Sequence, residues 1–332
     1  MLASAASATT QPAFSAGYAT GPGPYLLMGL FVTLVGVIVL VWIFHWTARL
    51  IVTPPRLTPA RALGRLGRSS PGDVGLPFED LTFTVPDVSG GTISLPAWFI
   101  PAGGPTLSTR TAIIVHAFGD SRSGALAWVW PWRAMGFNVL LFDLRAHGEA
   151  GGQHSGGGVW EADDLLSIMA ELNATRPRAT EHLAIHGISF GSLVTAMAAA
   201  RAGDGTPKPV ILVLDSPIPS FASSAAAFAN VAGLPLAGLT RLRLRWMSKR
   251  LGVDLLASDT LKSIEAADVA TLAIVPMQDI LLGNQREQFV SGLDEQGVAV
   301  WEPDCPHNLA IAEFPVQYAA LLRKFLDQRV TR

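Results

Sequence analysis

The chain has 332 residues, 49% of them apolar and 15% charged, with a formal net charge of −2. An average soluble domain carries roughly 25% charged residues, so the skew calls for a membrane segment, a large core, or both. The charge balance excludes a global field that favours nucleic acid or an acidic polymer. The single cysteine, Cys305, excludes an intrachain disulfide framework and any CxxC metal or redox motif. Arginine far outnumbers lysine and alanine is abundant, which points to a GC-rich bacterial genome.

Residues 1–24 hold Ala, Ser, Thr, Gly and Pro with no charged side chain. They offer too little apolar surface to offset the entropy of ordering, so disorder is expected. Tyr25 to Phe44 reads YLLMGLFVTLVGVIVLVWIF, followed by Trp46. At about 1.5 Å per residue such a run spans the roughly 30 Å hydrocarbon layer of a bilayer, and tryptophans suit its interface. A transmembrane helix over 25–46 is therefore expected. A cleaved signal peptide fits less well, because no basic residue precedes the run and His45-Trp46-Thr47 is no small-residue cleavage site. A buried core helix is the third reading.

Arg49, Arg56, Arg61, Arg65 and Arg68 precede the first acidic residue, Asp73, among four prolines. Residues 47–77 thus read as an extended basic linker. Positive flanks stay on the cytoplasmic side, so a cytoplasmic domain on a bacterial inner membrane is expected.

From residue 78 strands and helices alternate. Leu81–Val85 and Ile93–Ile100 alternate like a hairpin of edge strands. Ala112–His116, Asn138–Phe142, Leu183–His186, Val210–Leu214, Leu272–Val275 and Val298–Trp301 are short apolar runs, as expected of strands buried on both faces of a mostly parallel sheet. Helical patterns lie at Glu161–Asn173, Phe190–Arg201, Gln285–Gln296 and Ile311–Asp327. This alternation predicts one doubly wound α/β domain over 78–332. Residues 218–270, apolar and helical with interleaved arginines, predict a small helical lid.

Residues 187–191 read Gly-Ile-Ser-Phe-Gly between an apolar strand and an alanine-rich helix. A sharp strand-to-helix turn needs small neighbours and places Ser189 at the positive end of a helix, so Ser189 is the candidate nucleophile.

Here the sequence resembles the α/β-hydrolase superfamily over residues 78–328, in particular its membrane-anchored members. His116-Ala117-Phe118-Gly119 follows one strand and Asp143-Leu-Arg-Ala-His-Gly148 the next. Asp279 stands after Leu272–Val275, and His307 after the final strand. The order Ser189, Asp279, His307 is that of the family. The resemblance implies that His307 is the general base, Asp279 the acid that orients it, and the N–H groups of Phe118 and Phe190 the oxyanion hole. It implies no cofactor and no metal. Ala117 and Ala146 stand where the family carries glycine, and Ala117 is expected to disturb the oxyanion loop if its φ is positive.

Asp215, after another strand, is the alternative acid. Glu302 and Asp304 read as a solvated loop, and His116 and His147 as backbone-bonded loop residues. His186 reads as a packed strand residue, and His45, His154 and His182 lack a partner at ligand spacing. Glu161, Asp163 and Asp164 read as acids at a helix start rather than a metal cluster. Cys305 lacks the elbow of a nucleophile. Trp128, Trp130 and Trp132 read as core or lid packing.

The leading expectation is a membrane-anchored serine hydrolase of carboxylic esters, with an acyl-ester or lipid-like small molecule and the bilayer as partners and no nucleic acid. Lid residues Phe221, Phe228, Leu234, Leu236 and Trp246 are expected to line an acyl groove. A peptidase or amidase of the same fold, and a silent fold acting as a membrane-bound binding protein, are the alternatives. The sequence does not specify an oligomeric state.

Overall fold

The computed structural model describes residues 22–104, 108–203, 205–234 and 237–330. Most of the segment expected to be disordered, and Leu236, lie outside them. The helices are α1 (Gly23–Val52), α2 (Pro59–Leu66), α3 (Val129–Ala134), α4 (Val159–Thr175), α5 (Phe190–Ala199), α6 (Phe221–Val231), α7 (Thr240–Leu251), α8 (Thr260–Ala267), α9 (Arg286–Glu295), α10 (Ala310–Glu313) and α11 (Pro315–Val330). The expected C-terminal helix is divided at Pro315, whose missing N–H and fixed ring prevent α10 from running on.

Eight strands form one sheet: β1 (Glu79–Pro86), β2 (Thr92–Ile100), β3 (Arg110–Val115), β4 (Asn138–Phe142), β5 (His182–Ile188), β6 (Ile211–Asp215), β7 (Ala270–Ile274) and β8 (Ala299–Trp301). Their spatial order is β1-β2-β4-β3-β5-β6-β7-β8. Only β1 and β2 pair antiparallel to their neighbours, as the edge-hairpin expectation requires; every pair from β4 to β8 is parallel. The side-chain period of two divides the apolar runs between two cores. Ile113, Val115, Leu140, Phe142 and Ile185 join α4, α5 and α8 on one face. Ala112, Ile114, Val139, Leu141 and Ala184 meet Trp132, Tyr318 and Leu322 on the other.

The chain divides between Ile43 and Phe44. Among the described residues α1 is the one helix long and apolar enough to cross a membrane. Its side chains from Tyr25 to Trp42 are exposed, which removes the reading of a buried core helix.

The segment 47–77 departs from its expectation. Thr47, Ala48, Ile51, Val52, Leu57, Ala62 and Leu76 are buried in the larger unit, and 59–66 is helical rather than extended. Arg56 explains the docking: its guanidinium donates to the carbonyls of Ala150 and Gly152, each at 2.6 Å. The folded unit therefore begins near Phe44, not at residue 78.

The lid is also smaller than 218–270. Thr260 donates through its hydroxyl to Ile218 O at 2.6 Å and through its N–H to Pro219 O at 3.0 Å, which closes the base of the excursion. α8 then returns to the main core, with Ile264 and Ala267 buried there. The excursion proper holds α6 and α7.

Candidate active site

The parallel strands all end on one edge of the sheet, and the chain order reverses between β3 and β5, so their following loops diverge to leave a crevice. Ser189 follows β5, Phe118 follows β3, Asp279 follows β7 and His307 follows β8.

Ser189 sits at φ 53°, ψ −113°, a conformation that few residues other than glycine adopt. The flanking glycines make this turn sterically possible. A β-carbon on Gly187 would lie 2.3 Å from the carbonyl oxygen of Gly191, and one on Gly191 would lie 2.1 Å from the carbonyl oxygen of Val115. No side chain fits either place. The Ser189 N–H donates to Asp215 O at 2.8 Å, tying the elbow to the end of β6.

Ser189 Oγ lies 2.8 Å from His307 Nε2, and His307 Nδ1 lies 2.6 Å from Asp279 Oδ2. A carboxylate only accepts, so the neutral ring carries its proton on Nδ1 and presents the Nε2 lone pair to the serine hydroxyl. Asp279 is fixed in turn by the Leu281 N–H, which donates to Oδ1 at 2.9 Å. The loops that carry the acid and the imidazole are stitched together, with Met277 N–H to Pro303 O at 2.9 Å and Gln278 N–H to Cys305 O at 3.2 Å. The Asp279 side chain is fully buried and the His307 side chain is 15% exposed, so only the imidazole edge and the serine reach solvent.

Asp215 plays a different part. Its Oδ2 accepts from Trp128 Nε1 at 2.7 Å and from the Tyr318 hydroxyl at 2.8 Å, and its Oδ1 accepts from Ser216 Oγ at 3.1 Å. Burial pushes its carboxyl above the ordinary range, against the pull of those donors. Ser216 Oγ also accepts the Asn308 N–H at 2.9 Å, so the end of β6 holds both the serine elbow and the histidine loop. Sequence reasoning missed this role of Ser216. The visible signal was a polar Asp-Ser pair ending a wholly apolar strand.

The N–H groups of Phe118 and Phe190 donate to no protein acceptor among the described residues. The two rings meet edge to face at 5.5 Å, and Phe221 of α6 lies 6.1 Å and 5.8 Å from them. The fourth wall is His147, stacked on Phe190. Its Nδ1 donates to Arg145 O at 2.8 Å, and burial drives its pKa well below the ordinary range, so it stays neutral. The condition set for Ala117 is not met, since its φ is not positive; Ala146 is the alanine with a positive φ, at 63°. Gly119 does adopt φ 76°, and the Pro55 ring lies against it, so the docked segment before α2 borders this loop.

Of the expected acyl-groove residues that the structure describes, only Phe221 joins this aromatic cluster. Phe228 is exposed, Leu234 is half-buried, and Trp246 packs against Phe44 and His45. The remaining candidates are engaged elsewhere. His116 accepts the Leu144 N–H at Nε2 and bonds its own loop through Nδ1. His186 accepts from Trp132 Nε1 at 2.9 Å. Trp128 and Trp132 are buried while Trp130 is exposed. Glu161 accepts from Ser155 and from the N–H groups of Gly156 and Gly158, Asp163 pairs with Arg201, and Asp164 forms a two-pronged pair with Arg145. Glu302 pairs with Arg286, Asp304 accepts from Gln278, and burial pushes the Cys305 thiol up to about 11.

No family model matches the sequence. The uncharacterized protein YqkD of Bacillus subtilis (strain 168) is 33% identical over 103 residues, which are 30% of this chain and 33% of that protein. The match thus spans a third of the relative's length. Among solved structures, the esterase Pf2001 of Pyrococcus furiosus superimposes with a TM-score of 0.64 at 23% identity, over 84% of this chain and 98% of its own. An α/β-hydrolase of Vibrio vulnificus gives 0.55 at 19% identity, over 75% and 82%. A membrane phospholipase A described as a bacterial virulence factor gives 0.54 at 17% identity, over 93% and 100%. Together with the strand order, these likenesses show that the chain has the α/β-hydrolase fold.

Proposed function

We propose that the chain is a serine hydrolase of carboxylic esters, held on a membrane by α1. The observation that carries this reading is the continuous contact from Ser189 Oγ through His307 to Asp279, at 2.8 and 2.6 Å. A serine hydroxyl is a poor nucleophile at neutral pH unless a base takes its proton during attack. His307 Nε2 takes it as Oγ adds to the ester carbonyl carbon, and Asp279 stabilises the imidazolium that forms. The same imidazolium then protonates the leaving alcohol. Water attacks the acyl-serine by the same relay, releasing the acid and restoring Ser189.

The negative charge on the tetrahedral oxygen is met by the N–H groups of Phe118 and Phe190, each worth about 3–4 kcal/mol in comparable sites. The N-terminus of α5 adds a favourable partial charge. Phe118, Phe190, Phe221 and neutral His147 make an apolar wall, which favours an acyl chain over a charged group. Each buried methylene then contributes up to about 0.8 kcal/mol of binding. The likeness to esterases and to a membrane phospholipase A supports the same substrate class. Arg49, Arg56, Arg61, Arg65 and Arg68 follow the apolar run, which favours a cytoplasmic domain on a bacterial inner membrane.

The test is a fluorophosphonate probe, applied with a panel of acyl esters of graded length to the detergent-solubilised chain. Labelling of the wild type, its loss in Ser189→Ala, and a specificity constant that rises with chain length before levelling off are the expected results. Equal labelling of both proteins would remove Ser189 from the mechanism, and a steady fall from acetyl upwards would remove the acyl wall.

A further inference from the structure

A cleft of about 600 Å³ opens between the last turns of α1 and the lid helix α7. Trp46, Arg49 and Thr53 line it from α1 and the turn just after it, spaced three and four residues apart on one face. Trp246 and Arg250 line it from α7, also four apart, and His154 closes it from the loop before α4. It is separate from the candidate active site: none of Ser189, His307, Asp279, Phe118 or Phe190 borders it.

The electrostatics of the cleft are one-sided, because no carboxylate lines it. The more deeply placed Arg122 and Arg145 pair with Asp143 and Asp164, whereas Arg49 and Arg250 form no ion pair among the described residues. The Arg250 guanidinium lies 4.8 Å over the Trp246 ring. His154, bonded through Nδ1 to Thr53 Oγ1 at 3.1 Å, has its pKa lowered by burial and then by the charge of Arg49. Each arginine sits in the last turn of its own helix, where the dipole favours one cation. That accounts for their placement and leaves two positive charges facing one open cleft whose remaining lining is largely apolar.

Guanidinium pairs match the oxygen geometry of phosphate, and indole rings suit the acyl-glycerol boundary of a bilayer. We propose that this cleft binds a phosphorylated amphiphile, with its phosphate between Arg49 and Arg250 and its apolar part against Trp46 and Trp246. The surrounding surface favours a lipid over a free ion. No Asp or Glu occurs between Asp215 and Asp254. Across that stretch Phe228, Val231 and Leu242 are exposed beside Arg241, Arg245 and Lys249. The site stands whether or not Ser189 is a nucleophile, so its test is read by binding alone.

The experiment is calorimetric titration of the full chain in detergent, carrying Ser189→Ala so that no probe is cleaved. The probes are dihexanoyl phosphatidylglycerol, dihexanoyl phosphatidylcholine and inorganic phosphate. The expected result is tightest binding of the phosphatidylglycerol, weakened at least ten-fold by Arg49→Gln with Arg250→Gln. The single exposed change Arg250→Glu should have a similar effect, with thermal midpoints unchanged in both. Inorganic phosphate binding as tightly, with the same arginine dependence, would keep the phosphate site but overturn the lipid as its source. No binding of any probe, or binding indifferent to both sets of substitutions, would overturn the proposal.

Discussion

The backbone carbonyl of Asp215 accepts the Ser189 N–H at 2.8 Å, while its carboxylate is engaged by Trp128, Tyr318 and Ser216 rather than by His307. Asp215 thus serves the serine through its main chain. The imidazole proton goes to Asp279, 28 residues before His307 in sequence.

The two aspartates should separate cleanly on amidation. Asp279→Asn leaves the imidazole in the wrong tautomer, and the expected loss of turnover on a chromogenic ester is about 10⁴-fold. Asp215→Asn keeps an acceptor for Trp128 and Tyr318 and turns its amide towards Ser216, so turnover should stay within about ten-fold of wild type. Steady-state kinetics on both variants, with matched thermal midpoints, checks the ranking. The opposite order would make Asp215 the acid.

The elbow should tolerate loss of its hydroxyl and reject an added methyl. Ser189→Ala removes one oxygen at a turn fixed by backbone bonds and should melt within a few degrees of wild type. Gly191→Ala drives a β-carbon to 2.1 Å from Val115 O, a backbone atom that cannot swing aside. Overpacking of this kind costs about 3 kcal/mol or more. The expected outcome is a lower melting temperature or loss of folded protein, read by thermal unfolding in detergent.

These features of the sheet and the elbow were legible in the sequence for a physical reason. A strand buried on both faces must be a short apolar run, and a strained turn must be flanked by glycine, so β3 to β8 and Gly187–Gly191 announce themselves locally. Asp279 and His307 were reachable only through the resemblance, which places an acid and a base after those strands. The docking of 47–77 was not, because Arg56 is satisfied by main-chain carbonyls of Ala150 and Gly152 more than ninety residues on, and carbonyls leave no trace in residue type. The same limit applies to Trp246. Its apolar ring suits an acyl groove as well as the contact it makes with Phe44 and His45.

The domain boundary should therefore behave as the structure has it. A chain beginning at residue 78 loses Arg56 and uncovers the sites of Leu57, Ala62 and Leu76, and should be insoluble. One beginning at Phe44 should give a folded unit by circular dichroism. In the full chain Arg56→Ala removes hydrogen bonds to four main-chain carbonyls, of which the two short ones, to Ala150 and Gly152, contribute about 1.5–3 kcal/mol each at most. A urea midpoint unchanged from wild type would show that the segment does not stabilise the fold.

The last prediction concerns acid. His186 is wholly buried and its pKa is lowered to about 3, and burial also pushes His147 well below its ordinary range. In the unfolded chain both titrate near 6.5. Below that pH the unfolded state binds more protons than the folded one. Their contribution to stability is therefore complete above about 6.5 and is lost progressively as pH falls below it, down to about 3 for His186. Each histidine costs at most about 1.4 kcal/mol per pH unit within that window. Urea unfolding at pH 7.5 and 5.5 should show a drop that shrinks by about 1.4 kcal/mol in His186→Asn, whose amide oxygen can still accept from Trp132 Nε1. Comparing the two proteins over the same interval cancels the carboxylates that titrate there. A pH dependence identical in both would mean that His186 is protonated in the folded state, against the burial and the Trp132 bond that hold it neutral.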